Sequence, residues 1–195
     1  KVTALGAGTQ IRGRRNDQHR PTLIILDDVE DSQEVMVPEQ REKLWTWLTK
    51  NVMAAGSGKT NVIVVGTILH QDSLLATLVD RSRSPGWMGK VYKAILSWST
   101  HPELWQRWEA IYSHRQEHGG LTGEEAARRY FEDHREAMLE GTRVAWPEKE
   151  PFYDLLVYRL VNGQASFDSE KQNTPVDRPR PEGGWRRGRD SNPGW

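Results

Sequence analysis

Leu23-Ile24-Ile25-Leu26-Asp27-Asp28 decides the fold. Four apolar residues run into two adjacent carboxylates, and Glu30 and Asp31 follow closely. A short continuous apolar run predicts a strand buried on both faces, as in a parallel sheet covered by helices. The end of such a strand delivers its carboxylates to the carboxyl edge of the sheet, where open α/β folds bind ligands.

Further elements extend outward from this strand. Pro38 suits a first helical position, and a helix over Glu39 to Val52 places Leu44, Trp45, Leu48 and Val52 on one face. Ala55 to Lys59 form a glycine-rich turn before a second, β-branched strand, Val62 to Val65, which Gly66 ends. Asp72 or Gln71 opens a short helix through Leu78. Val91 to Trp98 alternate as a third strand. Two charged helices are expected over Pro102 to His118 and Gly123 to Glu140, and a last one over Pro151 to Val161. Leu104, Trp105, Trp108, Ile111 and Tyr112 recur at helical spacing, which reads as a core or docking face rather than a base-stacking platform. Strands alternating with helices predict an α/β fold.

Composition sets outer bounds. A chain of 195 residues allows one domain plus an appendage. Its apolar fraction is 36%, and 17 glycines bring the broader count toward the globular norm of roughly 45%. Net charge is zero, so the chain as a whole has no electrostatic signature of nucleic-acid binding. Charge is nevertheless uneven, with basic clusters at Arg12 to Arg15 and Arg178 to Arg189. No cysteine is present, which removes disulfide and thiolate chemistry and suits a reducing cytoplasm. No apolar run approaches the ~18 residues of a membrane span, and no signal peptide is visible. A soluble, cytoplasmic chain without a membrane partner is the expectation.

The first strand with its acids has the form of a Walker B strand. Gly6-Ala7-Gly8-Thr9-Gln10-Ile11-Arg12-Gly13-Arg14-Arg15 lies upstream, and Arg20-Pro21 leads into the strand. Downstream come Gly66-Thr67-Ile68-Leu69-His70-Gln71-Asp72-Ser73-Leu74-Leu75, then Met138-Leu139-Glu140-Gly141-Thr142-Arg143-Val144-Ala145-Trp146-Pro147-Glu148. Phe167-Asp168-Ser169-Glu170-Lys171-Gln172-Asn173-Thr174-Pro175 closes the series. In this order, over about residues 6 to 177, the series resembles the large terminase subunit of tailed phages and prophages, the motor that packages DNA.

The resemblance implies a partial P-loop (ASCE-type) NTPase sheet with flanking helices. Residues 1–100 would be the later part of the ATPase domain, 101–177 a helical linker toward a nuclease domain, and 178–195 a disordered or out-of-frame tail. It implies that Asp27 holds Mg²⁺, through water because that ion keeps much of its hydration shell. Asp28 would polarise the attacking water, with Glu30 as a competing base. Gly66 and Thr67 would form the coupling motif that senses the γ-phosphate of ATP. Both cofactors, ATP and Mg²⁺, belong to the intact motor, as do its partners: double-stranded DNA, the portal protein and the small terminase subunit. Arg12 and Arg14 would contact DNA or a neighbouring subunit's phosphate, or form a solvated basic turn.

Two parts of the family pattern are missing. Gly56-Ser57-Gly58-Lys59-Thr60 ends like a P-loop, but Met53 stands where the full pattern needs glycine. The segment also precedes a strand, whereas a phosphate-binding loop follows one and opens a helix. Past Pro175 an arginine-rich tail replaces the acid-bearing strands that would hold nuclease metals, and Asp168 and Glu170 lie before that domain. The chain starts at Lys1 and reads as the interior of a longer open frame, with little ATPase and no nuclease activity expected of it alone. Two alternatives stand beside this reading: a non-catalytic prophage remnant or interaction module docking through its tryptophan-bearing helices, and a fragment of another P-loop motor such as a helicase.

Overall fold

The computed structural model describes residues 2–9 and 20–175. The basic cluster with Arg12 and Arg14, and the arginine-rich tail, lie outside the described residues. The chain is mixed helix and strand. β1 (Leu23–Asp27) is followed by α1 (Pro38–Trp47), a wide helical turn at Leu48–Val52, and α2 (Met53–Ala55). Then come β2 (Asn61–Val65), α3 (Leu74–Val79), β3 (Ile95–Ser97), α4 (Pro102–Tyr112), α5 (Gly123–Asp133) and α6 (Arg135–Leu139). β4 (Arg143–Val144), α7 (Phe152–Asn162) and α8 (Gln164–Glu170) complete the order.

β1 and β2 pair in parallel, with Leu23 opposite Asn61 and Asp27 opposite Val65. The helical stretch between them supplies the crossover that a parallel pair requires. Ile24, Leu26 and Val64 face a cluster built from Trp47, Leu48, Val52, Leu74 and Leu78. The opposite face is open: Leu23, Ile25, Ile63 and Val65 are 49%, 59%, 47% and 53% exposed. The expectation of a strand buried on both faces is therefore corrected. An unbroken apolar run signals hydrophobicity without saying whether both faces are covered, and among the described residues only one face is.

The second cluster is helical. Trp105, Trp108 and Ile111 of α4 pack with Tyr130 and Phe131 of α5, Met138 of α6, Leu155 and Leu156 of α7, and Phe167 of α8. Trp105 and Trp108 are 5% and 2% exposed, and the Trp105 indole donates to the Met138 carbonyl at 2.8 Å. These tryptophans are core residues, so they offer no docking face.

Three elements are shorter than their sequence patterns. The helix from Pro102 stops at Tyr112 rather than His118, because His114 turns left-handed (φ 58°) and Gly119 and Gly120 reverse the chain. The pattern over Gly123 to Glu140 breaks at His134, whose ring contacts the Tyr130 carbonyl at 2.8 Å and so competes for a helical acceptor. The third strand contracts to Ile95–Ser97, paired antiparallel with β4. Just before it, Ala94 donates to the Lys171 carbonyl (2.7 Å) and accepts from Ala145 N–H (2.8 Å). The buried Gln172 amide sets its nitrogen against the Ile95 carbonyl and its oxygen against the Ile95 N–H, each at 3.3 Å. The segment after α8 thus stands in for a neighbouring strand.

Candidate functional site

The parallel register brings the ends of β1 and β2 to one edge. Asp27 is the last residue of β1, opposite Val65, and the next residue's N–H, that of Asp28, donates to the Val65 carbonyl at 3.0 Å. Asp28 sits in the left-handed region with φ 45°. Aspartate tolerates that conformation better than most residues, at a cost on the order of 1 kcal/mol. Gly66 lies beside it. A Cβ added at Gly66 would approach Asp28 Oδ1 to 3.0 Å and Leu75 Cδ1 to 2.9 Å. Glycine is thus what lets the end of β2 lie against the Asp28 carboxylate. Thr67 follows, half-buried.

The four acids of this segment divide into two kinds. Asp31 Oδ1 accepts from the N–H groups of Gln33 (2.8 Å) and Glu34 (3.1 Å). Those bonds, that of Glu34 foremost, hold its carboxyl below the ordinary 3.8. Glu30 reaches across to α3, where its two oxygens accept from Leu74 N–H (2.6 Å) and Leu75 N–H (3.0 Å). Ser73 completes that helix start, its buried hydroxyl accepting from Ala76 N–H at 3.1 Å. Both Glu30 oxygens are committed to backbone donors. The carboxylates of Asp27 and Asp28 accept no hydrogen bond and form no ion pair among the described residues.

The glycine-rich segment Gly56 to Thr60 lies at the other end of the sheet. The Thr60 hydroxyl donates to the Pro21 carbonyl (2.5 Å), and Arg20 donates to the carbonyls of Ala54 and Gly56 (2.7 Å each). Asn61 N–H donates to Thr22 just ahead of β1. This turn is therefore tied to the amino ends of the strands, away from Asp27 and Gly66. His70 accepts at Nδ1 from Asp72 N–H (2.9 Å).

One residue of this neighbourhood escaped the sequence reading. Asn173, 105 positions beyond Ile68, accepts from Ile68 N–H through Oδ1 at 2.9 Å. Its amide nitrogen donates to the Tyr92 carbonyl at 2.9 Å, and its own φ is 50°. It fastens the loop carrying Gly66 and Thr67 to the segment after α8. The only sequence cue was an asparagine, a residue able to turn left-handed, next to Thr174-Pro175.

Among the described residues no three His, Asp or Glu side chains gather as a metal site. Mg²⁺ asks less of a protein, commonly one or two carboxylates with water and phosphate oxygens completing its shell. Asp27 and Asp28 fit that share. No described helix is long and apolar enough to cross a membrane. No family model, curated protein or solved structure matches the chain.

Proposed function

We propose that this chain is a segment of a terminase large subunit, contributing the magnesium-binding and water-polarising edge of its ATPase to DNA packaging. The observation that supports it most is the meeting of Asp27-Asp28 with Gly66-Thr67 at the carboxyl edge of a parallel strand pair. In this reading Asp27 holds Mg²⁺ through water. Asp28 polarises the attacking water, and Thr67 senses the γ-phosphate at the strand tip. Glu30 is assigned to positioning, because both its oxygens already hold α3. Bound Mg²⁺ would supply charge neutralisation to the phosphoryl group. The chain's own residues orient the water and relay the state of the strand tip. The phosphate-cradling loop and the partners (double-stranded DNA, portal and small subunit) belong to the intact motor.

The test is ATP turnover and DNA packaging by the complete motor carrying Asp27→Asn or Asp28→Asn. Asparagine keeps the shape and tolerates the left-handed backbone at position 28, so only charge is removed. Asp27→Asn should abolish both activities, and Asp28→Asn should abolish turnover while nucleotide binding persists. Wild-type turnover in Asp27→Asn would refute the assignment. Turnover driven by short strands without procapsids would favour the helicase alternative.

A further inference from the structure

We propose that a cleft in the helical part of the chain binds a nucleotide, at a place distinct from the edge of β1 and β2. The cleft has a volume of about 550 Å³. That lies within the ~300–1,000 Å³ range of small-molecule sites. Arg128 of α5, Arg135 of α6 and Arg143 of β4 line it, over a floor that includes Leu139, Val144 and Pro147. Two of these guanidinium groups are held by rings. Arg128 lies 5.0 Å over Tyr153, and Arg135 lies 5.7 Å over Phe131. A guanidinium steadied against a ring keeps its edge N–H groups for a phosphate. Arg135 also pairs with Glu132 (3.2 Å), whereas Arg128 and Arg143 have no carboxylate partner among the described residues.

The cleft is not simply basic. Glu132 and Asp154 line it with the three arginines. A bare anion would meet those two acids as repulsion. A nucleotide uses both signs: its phosphate takes the arginines, its base the apolar floor, and an exocyclic amino group donates to a carboxylate such as Asp154. The inference does not depend on the ATPase reading.

The test uses the full chain and two probes, dCMP and a fluorescent ten-residue oligo-dC, titrated at several salt concentrations. The Arg128→Ala/Arg143→Ala variant changes two exposed side chains, and its fold is checked by tryptophan fluorescence. It should weaken binding by about tenfold. It should also lower the oligonucleotide's salt slope by about 1.4, at roughly 0.7 per lost phosphate contact. Asp154→Asn should erase a preference for dCMP over dTMP, which lacks the amino group. Binding of both probes identifies a free nucleotide as ligand, and binding of the oligonucleotide alone identifies a strand. Unchanged affinity in the double-arginine variant overturns the proposal. So does inorganic phosphate competing as well as dCMP.

Discussion

Asn173 should be worth far more than a residue near the end of an irregular segment ordinarily is. Its side chain makes two hydrogen bonds, to Ile68 N–H and to the Tyr92 carbonyl, both at 2.9 Å. At about 0.5–1.5 kcal/mol each, their loss costs roughly 1–3 kcal/mol. Alanine adds a backbone penalty, because φ is 50° and alanine is less tolerant of the left-handed region than asparagine by about 1 kcal/mol. Asn173→Ala should therefore destabilise by about 2–4 kcal/mol, and Asn173→Gly by about 1 kcal/mol less. Asn173→Asp separates the two arms: it keeps the acceptor for Ile68 but sets a carboxylate oxygen against the Tyr92 carbonyl. Urea denaturation gives the stabilities, and hydrogen exchange of the Ile68 amide gives the local effect. That amide should lose protection in the alanine and glycine variants and keep it in the aspartate variant. Unchanged Ile68 protection in Asn173→Ala would refute the reasoning, whatever the global stability did.

In the helical core, Trp105→Phe keeps an aromatic ring but leaves the Met138 carbonyl without its donor. It should cost about 1–3 kcal/mol, or roughly 2–4 °C of Tm per kcal/mol for a chain of this size; a Tm within 1 °C of wild type, on this ~1 °C scale of measurement, would contradict the packing described. His101 contacts Glu140 at 2.8 Å and Glu103 at 3.1 Å, and those bonds, Glu140 first, raise its pKa above the ordinary 6.5. Its contribution is full below pH 6.5 and fades as pH rises through the raised value. His101→Gln should thus lower the urea midpoint more at acid than at alkaline pH, and an equal deficit at both would sink the assignment.

The sequence made some of this legible and hid the rest for physical reasons. The strands Leu23 to Leu26 and Val62 to Val65 were readable because β-branched and aliphatic runs bounded by turn residues have few other uses. The helix from Pro38 and the inward tryptophans of α4 followed from a proline start and a 3.6-residue period. The coverage of the sheet was not legible, since apolarity does not specify how many layers pack on a strand. Nor was the role of Glu30. Four acids in five positions look equivalent as letters, and only α3, 44 residues on, distinguishes the one that caps it. The helix break at His134 and the clasp at Asn173 depend on side chains bonding backbone groups, which leave no periodic trace.

The candidate edge depends on these unperiodic contacts more than on its own sheet. Two strands with one covered face fall short of what a sheet needs to stand alone. Each of β1 and β2 also keeps an edge without a paired strand among the described residues. Glu30 onto α3 and Asn173 onto Ile68 both fasten the carboxyl edge. Among the described residues the helical core and the sheet core are distinct clusters, so a substitution such as Trp105→Phe has no continuous buried apolar route to Asp28 there. Asn173 is a route by hydrogen bonds instead. Movement of the segment after α8 should reach the loop of Gly66 and Thr67 through the Asn173 amide. A core variant should therefore change global stability while leaving Ile68 exchange nearly intact, and an Asn173 variant should also change the edge.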